Sequence, residues 1–450
     1  MGGVKLHAWA FLATVGVVIL QIEARGFQGI PGNYCRNRKP SECCEDRLDD
    51  CAVPILGTLC YCDEFCLTGG DKPDDCCPDF REVCLGVKPE IPLPPPEQND
   101  DPGTLQQKEC EVEGFRIPFG GTKSFNCNEC KCEGPEAECE NDPCMVNEDL
   151  IREINEGSRR YGWRATNYTQ FWGRKASEGL RLRTGTFPPT EWSSNMYPVI
   201  LRPDRSKIPR EFNARLAWKG RVTGVRDQGW CGASWAFSTL GVAQDRLNIL
   251  AKGITPVALS AQNLLSCAEL GQKGCQGGHL DRAWNYIRRV GIVMEECYLY
   301  ESGWSSKVPK CYEQNEGRND ANCKNHYKTE PAFRISEKEE DIQWEILKNG
   351  PVQALMTVHP DFFMYQTGVY SYTGLGGSDS AAHSVKIIGW GEARVMGVGI
   401  VKYWLAENSW GSGWGERGYF KIRRGTNECG IESFVLAVRA RLGNFVYGRH

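Results

Sequence analysis

Cysteine distribution constrains the fold of this chain more than any other feature of its sequence. The 450 residues carry 23 cysteines, which fall into three blocks separated by long cysteine-free stretches. Ten lie between Cys35 and Cys84, six between Cys110 and Cys144, and seven from Cys231 to Cys429. Clusters of this density are typical of disulfide frameworks formed in an oxidising compartment. The two even blocks can pair internally, whereas the odd block leaves one thiol free or paired with another molecule.

The amino-terminal residues agree with export from the cell. One basic residue precedes an apolar run from Ala8 to Leu20, and small residues follow, the pattern of a secretory signal peptide over residues 1–25. A membrane anchor is the alternative, but the run is shorter than the ~20 residues that a bilayer requires. We therefore expect a secreted protein of the extracellular space or matrix, with no membrane span and with a glycosylation sequon at Asn167.

Length limits the number of domains, and net charge limits what can be said of the partner. A chain of 450 residues can form two or three domains, at least one of them with a sizeable core. The formal net charge of −4 points to no nucleic-acid partner and identifies no other ligand by bulk electrostatics.

Residues 31–86 form the first predicted module. They are dense in cysteine and nearly free of long apolar runs, so bridges must hold the module together. The patterns Cys60-Tyr-Cys62-Asp-Glu-Phe-Cys66 and Asp75-Cys76-Cys77-Pro-Asp-Phe resemble those of a somatomedin B module, and ten cysteines instead of the usual eight imply an extra bridge. A metal site built from the close cysteines is the alternative. Since histidine is absent from this block, we predict no metal, and we predict no cofactor elsewhere.

Two segments follow this module. Residues 87–107 are rich in proline, which predicts an extended spacer, with a proline-recognition ligand as the alternative. Residues 108–146 are predicted to form a second small disulfide unit. Its pattern Cys127-Asn-Glu-Cys130-Lys-Cys132 resembles the first half of a von Willebrand factor C repeat, and an EGF-like or follistatin-like knot stays open.

Residues 208–450 are predicted to form a larger α+β domain. After Ser234, apolar residues recur at helical spacing and Gly253 follows, which predicts a helix with one buried face and a glycine stop. Ser336 and Glu339 form a capping-box pattern ahead of a second helix that a Gly-Pro pair closes. Four short β-like runs complete the pattern: Val352–Val358, Ser384–Ile388, Tyr403–Ala406 and Gly418–Ile422. Helices first and strands later predict two lobes.

One motif points to a specific chemistry. Residues 228–237 read Gln-Gly-Trp-Cys-Gly-Ala-Ser-Trp-Ala-Phe, which closely resembles the nucleophile motif Gln-Gly-x-Cys-Gly-x-Cys-Trp of papain-like cysteine peptidases. Such a peptidase needs a thiolate, an imidazolium, a group that orients the imidazole and a donor for the oxyanion. The candidates are Ser234, His383, Asn408 and Gln228, respectively. Singly, the last three could be a core histidine, a turn cap and a loop glutamine; their order and motif settings together indicate papain-like ancestry.

The resemblance covers residues 208–440 and is most specific to cathepsin B. It includes Gly274-Cys275-Gln276-Gly277-Gly278 and Cys429-Gly430-Ile431-Glu432-Ser433. With the somatomedin-like module and Ser234, the whole chain resembles the tubulointerstitial nephritis antigen and antigen-like family, secreted matrix-associated proteins regarded as non-catalytic. The resemblance implies a two-lobed α+β fold, with a helical lobe and a β-barrel-like lobe, preceded by small disulfide-rich modules.

The resemblance also implies details within this domain and before it. Residues 147–207 resemble the cathepsin B propeptide, which lies along the active-site cleft until it is removed; an ordinary linker helix and loop is the alternative. By resemblance Cys429 is left unpaired, although a different cysteine could be the free one. The implied pairs are Cys231–Cys275 and, more weakly, Cys267–Cys311 and Cys297–Cys323.

Three departures from the family pattern put catalysis in doubt. Papain-like sites lower the pKa of the attacking thiol to ~3–4, whereas the hydroxyl of Ser234 stays neutral and would need His383 as a true general base. Cathepsin B grips a substrate carboxylate with histidines of an occluding loop, and the corresponding region from Cys297 to Cys311 contains none. Finally, Ala382 precedes the histidine where the family usually has glycine.

These observations favour a pseudopeptidase that is not an enzyme and that binds matrix proteins, cell-surface receptors or polysaccharides. A weak hydrolase that uses Ser234, His383 and Asn408 is one alternative. A peptide-binding decoy is another. Two basic groups could contact polyanions, but solvated faces are the simpler interpretation: Lys421, Arg423 and Arg424, and Arg174, Lys175, Arg181 and Arg183.

Overall fold

The computed structural model describes residues 32–39, 41–44, 51–55, 58–63, 66, 76–86, 109–251, 255–311, 323 and 325–441. The predicted signal peptide at residues 1–25 and the predicted spacer at residues 87–107 lie outside the described residues. The chain divides into two compact units, Met1–Leu105 and Gln106–His450.

The first unit is held together by cysteine. Its regular elements are a 3-10 turn Cys35–Asn37, strands β1 (Ala52–Ile55) and β2 (Thr58–Tyr61), and helix α1 (Phe80–Val83). Most of its cysteines are buried around Phe80 and Ile55, so sulfur atoms form most of the small core. The bridges are Cys35–Cys62, Cys43–Cys84, Cys44–Cys51, Cys60–Cys77 and Cys66–Cys76. All ten cysteines of the block are therefore paired, and none of them remains as a thiolate for a metal.

The second unit begins with a set of small antiparallel hairpins. The strands are β3 (Glu109–Val112), β4 (Phe115–Pro118), β5 (Thr122–Phe125), β6 (Asn128–Lys131) and β7 (Glu138–Cys139). Three bridges cross them: Cys110–Cys132, Cys127–Cys144 and Cys130–Cys139. The module contacts the segment after it, because the ammonium of Lys175 lies 2.6 Å from Asp142 and 3.1 Å from Glu140.

The segment at residues 147–207 enters the core of the larger domain. It contains α2 (Glu148–Glu156), α3 (Ser158–Tyr161), β8 (Trp163–Ala165), a 3-10 turn Thr169–Phe171, α4 (Ala176–Leu182), α5 (Glu191–Ser194) and a 3-10 turn Arg205–Lys207. Asn147 caps α2, since its side chain accepts the N–H of Leu150 at 3.0 Å. Trp163 and Phe171 are fully buried in the same hydrophobic cluster as Trp410.

The helical part of the domain surrounds one central helix. Its elements are β9 (Phe212–Asn213), α6 (Ala214–Ala217), α7 (Ser234–Leu250), α8 (Ala261–Cys267), a 3-10 turn Gly274–Gln276, α9 (Leu280–Arg289), a 3-10 turn Glu295–Cys297 and α10 (Ser302–Ser305). The prediction that α7 buries one face is wrong, because every residue from Ser234 to Asn248 is buried. The buried polar side chains of α7 pair with distant charges, such as Asp245 with Lys386 at 2.7 Å. The helix ends at Leu250, and the predicted stop at Gly253 lies outside the described residues.

The remaining elements form the strand-rich part. They are β10 (Phe333–Ile335), α11 (Glu339–Asn349), β11 (Val352–Val358), a 3-10 turn Pro360–Met364, β12 (Tyr365–Tyr370), β13 (Ala381–Val395), β14 (Gly399–Glu407), β15 (Tyr419–Arg423), a 3-10 turn Glu428–Gly430 and β16 (Val435–Ala437). Among the described residues the sheet has nine strands in the order β10-β16-β11-β13-β14-β15-β12-β8, with β9 paired to β13. β8 thus adds the segment before the domain to the edge of this sheet.

The predicted strands lie within this sheet, but the capping box does not form. The run Val352–Val358 coincides with β11, and the other three runs fall within or across one end of β13, β14 and β15. Lys338 precedes α11, while Ser336 donates to the carboxylate of Asp341 and Glu339 pairs with Arg424. The capping-box prediction is wrong because both side chains have charged partners: Asp341 engages Ser336, and Arg424, just after β15, engages Glu339. The helix does end at Gly350 as expected, with φ of 98°.

In the part of the chain that the structure describes, no helix combines the length and the apolar character needed to cross a bilayer.

Candidate active site

Ser234, at the nucleophile position, is the first residue of α7 and is fully buried. Its hydroxyl lies 2.8 Å from the hydroxyl of Thr186, a residue of the segment before the domain. Thr186 Oγ1 also lies 2.7 Å from Ser384 Oγ, which lies 2.8 Å from Ser238 Oγ. The serine is therefore one member of a buried chain of hydroxyl hydrogen bonds.

His383 lies on β13 and forms a pair with Asn408, with 2.8 Å between His383 Nε2 and Asn408 Oδ1. The same Oδ1 accepts the backbone N–H of Ser409 at 2.8 Å, which assigns the imidazole proton to Nε2. Nδ1 is then an acceptor, and it has no hydrogen-bond partner among the described residues. The structure thus brings His383 and Asn408 together but leaves His383 without a hydrogen bond to Ser234.

Burial decides the charge of this histidine. Desolvation lowers the pKa of His383 from 6.5 to about 4, and the hydrogen bond to Asn408 offsets only part of that effect. The positive charge of Arg183 lowers the pKa further. His383 is therefore neutral at pH 7, whereas a papain-like site uses an imidazolium beside its nucleophile.

Gln228 lies where an oxyanion donor is expected, and its carboxamide is fully engaged. Its Oε1 accepts from Ser409 Oγ at 2.6 Å, and its Nε2 donates to the carbonyls of Cys231 at 2.8 Å and Thr184 at 3.1 Å. The backbone N–H of Ser234 donates to the same Thr184 carbonyl at 3.2 Å. The two donors that would stabilise an oxyanion thus converge on a carbonyl of the chain itself.

Residues 182–187 hydrogen-bond to both sides of the cleft. On the helical side, the N–H of Gly278 donates to the carbonyl of Gly185 at 3.0 Å. On the strand side, the N–H of Thr186 donates at 3.2 Å to the carbonyl of Ala382, the residue before His383. The segment therefore fills the position that a peptide substrate would need.

Gly185 allows this close approach. Its φ of 105° is unfavourable for any residue with a side chain. A Cβ at this position would also overlap the backbone carbonyl of Gly232. Both the conformation and the lack of space require glycine here.

Arg183 anchors the segment below the cleft. Its guanidinium donates to Asp227 Oδ1 at 3.1 Å and to the carbonyls of Gly229 at 2.8 Å and Trp410 at 3.4 Å. In return, the indole N–H of Trp410 donates to the carbonyl of Arg183. The side chain of Arg183 is only 3% exposed, so its assignment to a solvated basic face is wrong.

Other members of the two predicted basic groups are also paired with carboxylates. Lys421 lies 2.8 Å from Glu416, and Arg424 is buried against Glu339. The solvated-face interpretation is therefore wrong for Arg424 as well. Two further members pair on the surface: Arg174 with Glu178, and Lys175 with Glu140 and Asp142.

The cysteines of the domain pair as Cys231–Cys275, Cys267–Cys311 and Cys297–Cys323. Cys429 is free and partly buried, and burial raises the pKa of its thiol. Asn167, the sequon residue, is exposed. In the histidine-free region between Cys297 and Cys311, the hydroxyl of Tyr300 donates to the backbone carbonyl of Gln228 at 2.6 Å.

Sequence reasoning missed the residues that fill the cleft. Thr184, Gly185 and Thr186 belong to no recognised motif, and Arg183 resembled a surface cation. The Thr-Gly-Thr run was a weak signal, because a glycine between short polar residues is also common in loops. The resemblance to a propeptide gave the general location of the segment but not its contacts.

Residues 208–439 match the model of the papain family of cysteine proteases. The mouse tubulointerstitial nephritis antigen-like protein is 42% identical, over 95% of this chain and 93% of its own length. Human tubulointerstitial nephritis antigen is 38% identical, over 91% of this chain and 88% of its own length.

The chain belongs to the tubulointerstitial nephritis antigen family. This family assignment and the papain-like α+β fold, both expected from the sequence, are confirmed. Among solved structures, procathepsin B S9 from Trypanosoma congolense superposes with a TM-score of 0.56 at 29% sequence identity, covering 66% of this chain and 99% of that protein. That share of 450 residues is longer than residues 208–439, so the structural likeness extends beyond the matched papain domain.

Proposed function

We propose that this member of the tubulointerstitial nephritis antigen family is a secreted, catalytically inactive papain-like protein that binds in the extracellular matrix or at the cell surface. The observation that carries the proposal is the carbonyl of Thr184. It accepts from Gln228 Nε2, the expected oxyanion donor, and from the backbone N–H of Ser234 beside it. A peptide carbonyl cannot bind there while the segment stays in place.

The chemistry of the nucleophile supports inactivity independently. A serine hydroxyl must lose its proton to a base within hydrogen-bond reach as it attacks. The hydroxyl of Ser234 is engaged by Thr186, and Nδ1 of His383 has no partner in the described part of the chain. The neutral His383 could accept a proton, but it would first have to gain a hydrogen bond that the filled cleft lacks.

The same contacts argue against a peptide-binding decoy. A decoy needs a cleft that is open to peptides from other proteins. Here Gly185 and Thr186 already hydrogen-bond to both sides, and burial of Phe171 ties the segment to the core.

One observation keeps a weak hydrolase as the second candidate. The pair His383–Asn408 and the pair Gln228–Ser409 keep short hydrogen bonds of 2.8 and 2.6 Å. If the segment left the cleft, an imidazole held by Asn408 and the carboxamide of Gln228 would still be in place to act as base and oxyanion donor for Ser234. Structural packing around Trp410 explains the same pairs without any catalysis.

The binding role is supported by the rest of the chain. Eleven disulfides are present among the described residues, which fits an oxidising, extracellular setting. The exposed Asn167 fits passage through the secretory route. Small disulfide modules before a domain whose cleft is filled are suited to presenting surfaces rather than to turnover.

Inactivity is tested with four forms of the full chain. The wild type and Ser234→Cys are each prepared in two forms. One form is intact. The other carries a specific protease site at the exposed residues 204–207; it is cut there and then gel-filtered in mild denaturant to release the segment. Each is assayed on a fluorogenic peptide library and labelled with a thiol-directed epoxide and a serine-directed fluorophosphonate. We expect labelling and turnover only in released Ser234→Cys. Turnover by the wild type that Ser234→Ala abolishes would replace this proposal with the hydrolase.

The binding role has a separate test. Intact wild-type protein is applied to decellularised matrix and to cultured cells, with heat-unfolded protein as the control. Saturable binding of the folded protein is the expected result. Absence of binding to either material would remove the binding role and leave inactivity unaffected.

A further inference from the structure

A groove runs between α5 and α9 on the surface of the second unit. It encloses about 320 Å³ and lies within the range of about 300–1,000 Å³ that is usual for ligand clefts. One wall carries Trp192 and Met196 of the segment at residues 147–207, and the other carries the exposed face of α9. A hydrogen bond of 2.9 Å from Thr190 to Asp281 fixes the end of α5 against α9.

The groove has an apolar floor. Trp284 and Leu436 are buried beneath it, with 2% and 1% of their surface exposed. The indole N–H of Trp284 already donates to Gln353 at 2.7 Å, so this side chain offers the groove only carbon. On the rim, Trp192 is 69% exposed, which is unusual for so large an apolar side chain. An occupant with an apolar side chain would therefore gain buried area here.

The rim is positively charged. Arg282, Arg288 and Arg289 are exposed on one side of α9. In the described part of the chain, none of the three forms an ion pair with a carboxylate. The one carboxylate among the lining residues, Asp281, accepts the hydroxyl of Thr190 and keeps its charge, so three arginines against one carboxylate leave the lining net positive. Three exposed arginines thus line the groove beside an apolar floor, and the guanidinium of Arg282 packs against the backbone at Gly271.

Helix stability explains only part of this charge. Arg288 and Arg289 lie in the last turn of α9, where cations favourably oppose the helix dipole. Arg282 lies in the first turn, where a cation is unfavourable. A charge placed against the dipole and without a carboxylate partner points to an anionic ligand.

We infer that this groove docks an extended acidic segment of a partner protein, which inserts an apolar side chain toward Trp284 while its carboxylates meet the arginines. The inference rests on the proposed binding role and gives it a site. An acidic polysaccharide shares the charge but has no aliphatic side chain for the floor, so the apolar lining favours the peptide. Exposed tryptophan and arginine side chains beside a pocket are also the types that dominate protein interfaces.

The groove depends on the segment that fills the cleft. Trp192 and Met196 form one wall, and both belong to residues 147–207. Removing this segment would open the cleft and dismantle the groove together. Retention of the segment in the secreted protein is therefore a requirement of the inference.

The test uses the intact full chain and an array of octapeptides with one Leu, Ile or Met flanked by Asp and Glu. Matched arrays carry Asn and Gln, or Lys, in place of the acids, and a heparin oligosaccharide serves as the polysaccharide probe. The double variant Arg282→Gln/Arg289→Gln removes two groove charges. The matched control Arg210→Gln/Lys219→Gln removes two exposed charges elsewhere. Trp192→Ser removes the apolar wall, and thermal melting checks that each variant is folded.

We expect only the acidic array to bind. The Kd for the acidic peptides should rise about tenfold or more in the groove double variant and in Trp192→Ser, and it should be unchanged in the control. Equal loss in the control would overturn the inference, because it would show attraction by net charge. Groove-dependent binding of heparin without peptide binding would also overturn it. If the wild type binds matrix and the groove variants bind it equally well, the proposed function stands and the site is wrong. If the wild type binds no matrix or cells, the proposed function itself fails.

Discussion

The two ends of the segment at residues 147–207 behave in opposite ways. Its earlier part places side chains in the interior, since Phe171 contacts Trp410 and Thr186 reaches Ser234 inside the cleft. Its last part is exterior: Trp192 is 69% and Tyr197 95% exposed. One continuous segment therefore closes the region where catalysis would occur and builds an open, charged groove elsewhere.

The contrast lies in which groups the segment engages. In the cleft, backbone and hydroxyl groups of the segment satisfy the donors and acceptors that a substrate would otherwise meet. In the groove, the same segment contributes the exposed Trp192, which lies beside the arginines of α9. Serine at the position of the family's cysteine is one difference from a papain-like peptidase; the occupation of its surroundings is a second, and it involves more contacts.

Among changes that test this contrast between buried and exposed parts of the segment, Phe171→Ala should lower the free energy of unfolding most. Phe171 is fully buried and packs its ring against Trp230, Phe363 and Trp410. Removing a buried phenyl ring leaves a cavity and lowers the free energy of unfolding by about 3–5 kcal/mol. The matched control Tyr197→Ala, at a residue that is 95% exposed, should change it by less than about 0.5 kcal/mol. Equal effects in denaturant titrations would contradict the division of the segment into buried and exposed parts.

Gly185→Val should cause the next largest loss in the free energy of unfolding. The substitution adds strain at φ of 105° and forces atoms into the carbonyl of Gly232. We expect a loss of about 3 kcal/mol or more, since strain alone accounts for about 1–3 kcal/mol. Gly224→Val is the control, because a Cβ there meets open space. Limited proteolysis supplies a second readout: the segment should become cleavable near residue 185 only in Gly185→Val.

The sequence predicted the candidate residues better than their contacts. Gln228, His383 and Asn408 lie within motifs, so their chemistry could be recognised from spacing alone. Thr184 and Thr186 lie about fifty residues before Ser234, and nothing local shows that their chain turns into the cleft. Contacts of this kind depend on how a remote segment packs, which propensity and periodicity do not encode.

The errors in secondary structure have a related cause. The apolar spacing after Ser234 predicted an amphipathic helix, yet the polar side chains of α7 are buried because Lys386 and Glu345 reach them from other elements. Likewise Glu339 has the right spacing for a capping box, but Arg424 competes for its carboxylate. Local rules fail at such positions because a buried charge is stabilised by whichever partner the tertiary structure supplies.

Burial of His383 predicts that the free energy of unfolding depends on pH. The folded-state pKa of about 4 lies below the usual value of 6.5, so between these values the unfolded chain binds a proton that the folded chain does not. Stability from this group is therefore intact above pH 7 and falls as the pH drops from 6.5 towards 4, by about 3 kcal/mol in total. His383→Gln should flatten this part of the profile of unfolding free energy against pH. The same slope in both proteins would show that other groups cause it.

The smallest effect concerns the hydroxyl contact that links the segment to the nucleophile position. Ser234→Ala removes a hydrogen bond of 2.8 Å to Thr186, which keeps a second bond of 2.7 Å to Ser384, so we expect a loss of only about 1 kcal/mol. A double-mutant cycle with Thr186→Val isolates the pair, because both single changes remove the same contact. A coupling free energy of about 1 kcal/mol would mean that serine here stabilises the filled cleft. A value near zero would mean that the serine only lacks the sulfur of a peptidase and that Phe171, Gly185 and Arg183 hold the segment without it.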